Sequence, residues 1–176
     1  MADDRFAAIA SSLDSPLIVV TAAEGQQRAG CLVGFHSQSS MEPLRYCIWL
    51  SKANHTYRVA LHATHLAVHF LTSADMPLAE WFGTRTGDSI DKFAGLRAES
   101  GPGGVPVLTD CPHWLVVRRT ALLDDGGDHV CFTAEPVAVH TSGAFRPLRM
   151  SQAAHLQPGH SNEERPSPPT ERASGR

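Results

Sequence analysis

A chain of 176 residues, 42% hydrophobic and 19% charged, has room for one globular domain with a sizeable core and none for two large ones. Its formal net charge of -3 argues against a general phosphate-backbone binder, which needs a concentrated cationic face, so nucleic acid is not expected as a partner. The start, MADDRFAAIASSLDS, lacks a basic segment ahead of an apolar one, and no apolar run reaches bilayer-spanning length, so neither export nor a membrane partner is expected.

Phe6, Ile9 and Leu13 recur at helical spacing and stop before Asp14-Ser15-Pro16, which predicts a short helix over residues 5–13. Residues 17–21 read as a buried strand. The polar turn AAEGQQR then leads into a second strand over 29–40, with Gly25 in the hairpin turn. Pro43 ends that run, because it cannot donate to a ladder and restricts the residue before it. Residues 45–50 form a third strand, and Ser51, Asn54 and Thr56 offer N-caps for a helix over 57–63.

Residues 65–71 read as a strand, 76–82 as a helix capped by Ser73 or Asp75 with Pro77 in its first turn, and 88–93 as helix or turn. GPGGVPVL is a loop entering a short strand. Residues 114–124 and 129–140 are two long strands joined by a turn in which Gly126-Gly127 suits positive φ angles. Strands follow one another through hairpins, so a mainly β, antiparallel barrel is expected over 1–157. From Pro158 onward the Pro-, Ser- and charge-rich sequence reads as a disordered tail over 158–176.

GxGxxG after a first strand, GxxxxGK[ST], GxSxG and HExxH are all missing, which closes the common routes to nucleotide binding and hydrolysis. Cys31, Cys47, Cys111 and Cys131 form no CxxC pair, and three sit in apolar runs; free thiols and a cytoplasmic location are expected. His62 falls at a helix end and His65 and His69 in a strand, so they make no HxxxH helical pair and no metal site is expected.

Two segments concentrate polar chemistry. In GCLVGFHSQSSMEP, Gly30 and Gly34 mark either tight sheet packing or a place where a planar ligand nears the backbone. His36, Ser37, Gln38, Ser39 and Ser40 form a polar cluster able to serve acceptor oxygens of a phosphate, and equally able to be a solvated strand end. In SKANHT, Ser51, Lys52, Asn54, His55 and Thr56 bring hydroxyls, an amide and a cation between a strand and a helix. The plainer alternative there is a helix cap with an exposed lysine. His129, past the glycine turn in DDGGDHVCF, is placed to line a pocket; alone it reads as a surface histidine. Trp49, Trp81 and Trp114, with Phe70 and Phe82, read as core or subunit-contact residues.

The order of PLIVVTAAEG, GCLVGFHSQSSMEP, SKANHT, HLAVHFLTSADMPLAEWFG, DKF, GGVPVL and DHVCF resembles the flavin reductase-like family of FMN-binding split barrels, over about residues 6–140. The resemblance implies a six-stranded split barrel with Greek-key connectivity, a homodimer, and FMN or FAD near the dimer interface, reduced by NAD(P)H. It places Ser37, Gln38 and Ser40 at the flavin, Lys52, Asn54 and Thr56 at its phosphate, and His129 at the pyridine nucleotide. Gly34, Phe35, His36, Ser39, Ser51 and His55 complete the candidate cofactor-binding set. Leu32, Gly34 and Phe35 depart from the hydroxyl residues many members carry there, and residues 146–159 depart from the usual family end.

The resemblance also implies hydride transfer from reduced nicotinamide to a flavin, with a monooxygenase as a candidate recipient of the reduced flavin. Such chemistry needs two rings held face to face rather than a nucleophile or general base, in keeping with the missing triad motifs. Two other classes stand beside it: an FMN-binding module for storage, sensing or electron relay, and a barrel that has lost flavin and serves as a dimeric interaction or haem-binding domain.

Overall fold

The computed structural model describes residues 2–159. Helix α1 (Ala2–Leu13) leads into strands β1 (Ile18–Glu24), β2 (Gln27–Val33), β3 (His36–Met41) and β4 (Leu44–Ser51), followed by α2 (His55–Ala60) and β5 (His65–Phe70). Helix α3 (Met76–Thr84), the short strands β6 (Ala98–Ser100) and β7 (Pro106–Leu108), and the long strands β8 (His113–Leu123) and β9 (His129–Thr141) complete the set. β2, β1, β5, β8, β9, β4 and β3 form one sheet in that order, antiparallel throughout, while β6 and β7 pair separately. The mainly β, antiparallel expectation stands; the strand count does not, since the sheet has seven strands rather than six and stays open between β2 and β3.

The expected strand over 29–40 is two strands. It breaks at Gly34-Phe35, and its halves lie on opposite edges of the sheet. A Cβ on Gly34 would sit 3.0 Å from Met150 Sδ, so the bare backbone here lets a later segment pack closely. Because only two residues link the two edges, the sheet must curl until they approach, and Trp49 N–H donates to Phe35 O (2.9 Å), extending the β3–β4 ladder up to the crossing. This leaves an open seam between β2 and β4, which are not ladder neighbours.

β1 is buried on both faces, which explains its unbroken apolar run: Ile18, Val20 and Ala22 face the main core on one side of the sheet, whereas Val19 packs into a second core with Leu71, Phe82, Phe93, Leu108 and Leu148. β2 alternates likewise. Cys31 and Val33 point inward, and a Cβ on Gly30 would meet Phe82 at 2.5 Å, so Gly30 serves α3 packing. The buried Lys92 Nζ donates to Gly30 O (3.0 Å) and Phe82 O (2.9 Å), tying β2 to α3. In the same DKF triplet Asp91 pairs with Arg28 and Phe93 enters the core.

Residues 148–159 then strap the second core. Leu17 N–H donates to Leu148 O and Leu148 N–H to Leu71 O, both at 2.7 Å. Asp14, with φ at 45°, accepts from Ser151 N and Ser151 Oγ, each at 2.8 Å, and these bonds hold its carboxyl below the usual range. At the far end Gly159 N–H donates to Gly83 O (3.2 Å). Pro158 and Gly159, expected at the start of a disordered tail, thus make contacts; the rest of that expected tail lies outside the described residues. No helix among the described residues is long and apolar enough to cross a membrane.

Candidate functional site

A cavity of ≈ 340 Å³ opens at the seam. β2 supplies Cys31, Leu32 and Val33, β4 supplies Trp49, Leu50 and Ser51, and Asn54, Arg85 and His129 add the polar groups. Met150, Ala153, Leu156 and Pro158 of the strap form the opposing wall. The location follows from topology: the outer edge of β2 has no ladder partner, so its backbone is available where the side-chain walls converge.

Ser51 and His129 face each other as a cross-strand pair of β4 and β9. His129 Nδ1 lies 2.8 Å from Asp128 Oδ1, and that bond holds the Asp128 carboxyl below its ordinary range. The Phe35 ring meets His129 edge-on, centroids 5.1 Å apart, and limits how the imidazole can turn. Asn54 is the N-cap of α2, its Oδ1 accepting from Thr56 N–H (2.9 Å), so among the three residues offered as caps it is the one used.

The other expected site residues lie elsewhere. Ser37, Gln38 and Ser39 are exposed on the edge strand β3, where Ser37 Oγ donates to Gln38 O (2.9 Å) and Gln38 Nε2 to Ser40 O (3.2 Å). Gly34, Phe35 and His36 line a neighbouring depression with Ser15 and Trp49. His36 is held between Tyr46 OH (2.6 Å) and Pro16 O (3.0 Å), and burial lowers its pKa.

On the SKANHT side, Lys52 Nζ turns to the β8–β9 hairpin and pairs with Asp124 Oδ1 at 3.0 Å. His55 Nδ1 lies 3.1 Å from Asp88 Oδ1, and Arg58 also pairs with that carboxylate. Thr56 is buried beside Cys31, behind the cavity. The expected convergence of residues 37–40 and 52–56 on one cavity is therefore not met within a single chain. The β3 ladder and the Lys52–Asp124 pair carry those side chains apart, and Ser51, Asn54 and His129 are the expected residues brought together.

Residue-type reasoning missed Trp49, Arg85 and the strap as cavity components. Only Arg85 carried a local signal: Trp81 and Arg85 are four apart at a helix end, and the guanidinium lies 4.3 Å over the indole. The strap could not be foreseen, since residues 146–159 show no periodic pattern and acquire their place through Asp14 and Gly83.

The cavity's apolar walls, set with the polar groups of Ser51, Asn54, Arg85 and His129, suit an amphiphilic ligand with a planar body and an anionic or hydroxyl-rich tail. Comparison with known proteins bears on its chemistry. A family model described as "Flavin reductase like domain" matches residues 10–155. A ferric-chelate reductase (NAD(P)H) of Archaeoglobus fulgidus is 25% identical over 122 residues, covering 69% of this chain and 72% of that protein. A high molecular weight rubredoxin of Moorella thermoacetica is 27% identical over 119 residues, 66% of this chain, and the chain spans 51% of it. Among solved structures, a nitrilotriacetate monooxygenase component B homologue from Mycobacterium thermoresistibile superposes with a TM-score of 0.72 at 17% identity, covering 84% of this chain and 81% of that one; it supports the fold alone.

Proposed function

Since the chain belongs to the flavin reductase-like domain family, we propose that it is an oxidoreductase that binds FMN or FAD at the β2–β4 seam and uses NAD(P)H to reduce it. The observation that carries this reading is the seam itself: a cavity walled by Leu32, Val33, Trp49 and Leu156 on its apolar sides, with Ser51, Asn54 and His129 converging at one end. The lining fits a flavin in donor chemistry, with apolar contacts for the ring and the Ser51 hydroxyl and Asn54 amide for its polar edge. When bound, the flavin supplies the hydride-accepting chemistry.

The chain's own residues bind and position. Trp49 and the strap exclude water from the cavity walls, and the unpaired edge of β2 offers backbone donors and acceptors to a polar ring edge. His129, fixed through Nδ1 by Asp128 and against Phe35, presents its other ring nitrogen to the ligand space and orients the nicotinamide. The serines of β3 do not reach this cavity from their own chain, so their part in the site requires a homodimer in which a second copy lays β3 against the seam. Met41 and Leu44, 80% and 56% exposed on the adjoining strands, are the apolar residues that such a contact would cover. Reduced flavin would pass to an acceptor, of which a monooxygenase is one.

The purified protein should show a visible flavin band, or acquire one on titration with FMN or FAD, and the band should bleach when NADH or NADPH is added without oxygen. A bound flavin that neither nicotinamide bleaches would leave a binding module without reductase activity. No binding of either flavin would refute the proposal.

A further inference from the structure

The flavin reductase reading, on which the present inference rests, leaves open which cation meets the charge of the bound nucleotide. Lys52 follows Ser51 in sequence, yet its ammonium is already 3.0 Å from the Asp124 carboxylate. His129 is engaged by Asp128. Arg85 lines the same cavity as Ser51 and Asn54, and among the described residues it makes no ion pair; its guanidinium stacks on the Trp81 ring, 4.3 Å from centroid to central carbon.

The carboxylates of the following loop are spoken for. Asp88 pairs with Arg58 and His55, and Asp91 with Arg28. Among the described residues, then, no carboxylate neutralises Arg85 at the cavity wall. Stacking on Trp81 restricts the side chain before any ligand arrives, so less rotamer entropy is lost on binding, and the planar fork of donors matches two oxygens of a phosphate.

We propose that Arg85 is the receptor for a terminal phosphomonoester of the bound nucleotide, the chemistry shared by the 5′-phosphate of FMN and the 2′-phosphate of NADPH. Arg85 then sets specificity: for FMN over riboflavin in the first case, and for NADPH over NADH in the second.

Two ratios test this in wild type, Arg85→Ala, Arg85→Lys and Lys52→Ala: the riboflavin-to-FMN ratio of Kd from fluorescence titration, and the NADH-to-NADPH ratio of KM. Each pair differs by one phosphate, so an altered fold affects both members and cancels. In Arg85→Ala one ratio should fall ~10- to 100-fold, the loss of a charge-assisted contact, and Arg85→Lys should recover part of it. Lys52→Ala should move neither. A fall in the flavin ratio assigns the 5′-phosphate, and a fall in the nicotinamide ratio the 2′-phosphate. Both ratios unchanged in Arg85→Ala, or a fall seen in Lys52→Ala instead, would overturn the role of Arg85 while leaving flavin binding intact. A wild-type protein that binds neither FMN nor riboflavin would overturn the flavin reading itself, and this inference with it.

Discussion

His69 is fully buried, with Nδ1 donating to Val19 O (3.1 Å) and Nε2 accepting from Leu108 N–H (2.9 Å), so a neutral imidazole joins β1 to β7. Burial lowers its pKa to about 4. An unfolded chain takes up a proton near pH 6.5 that the native ring refuses, so stability is full above that pH and falls as pH drops toward 4, by about 3 kcal/mol at the low end. Denaturant unfolding at pH 7 and about pH 4.5 should show this loss, and His69→Gln, weaker overall, should show a smaller one. Lys92→Met keeps the buried stem and removes both donors to Gly30 O and Phe82 O; a cost of about 2 to 4 kcal/mol is expected in the same assay. His129→Ala should slow flavin reduction by roughly tenfold in stopped flow, as a positioning group would, and leave flavin affinity near wild type; an unchanged rate would remove His129 from the site.

At the scale of elements, what matters is how closely backbones approach. A methyl on Gly30 would meet the Phe82 ring, and Gly30→Ala should cost about 1 to 3 kcal/mol by forcing α3 off β2. Gly159 is set against backbone, since a Cβ would lie 2.6 Å from Thr84 O, an atom that cannot swing aside as a ring can. Gly159→Ala should release the end of the strap, and faster amide exchange confined to residues 149–159 would show it; unchanged exchange would mean that the contact with Gly83 does not hold the strap. Hairpins, the short helices and the Asn54 cap were legible in advance because turn and cap chemistry is local, whereas Asp75 begins α3 without capping it, its carboxylate accepting from Thr72 instead; Gly126, with φ at 91°, turns β8 into β9 as read, though Gly127 does not share the positive φ. The break at Gly34-Phe35 was not legible. Residues 29–40 are strand-like throughout, and only the packing of Met150 and the bond from Trp49 N–H to Phe35 O decide that the chain crosses from one edge to the other.

For the whole molecule, the curled sheet explains why residues from separate stretches of the chain meet at one seam. If β3 of a second copy covers that seam, Met41→Lys combined with Leu44→Lys should convert a dimer to a monomer in sedimentation and weaken flavin binding together; a monomeric wild type would refute the shared site. The sequence by itself determined the antiparallel β class, the hairpin order and the polar residues at the ends of β4 and β9, because period-two burial, turn residues and caps act over a few positions. The family resemblance rested on the same local signatures in order. Only the tertiary structure decided which of those polar residues share a cavity. Ser51 and His129 meet through a ladder between strands far apart in the chain, Lys52 is drawn away by Asp124, and Arg85 arrives on the end of α3. Such meetings depend on long-range register and on competition among charges, and neither is written in the spacing of neighbouring residues.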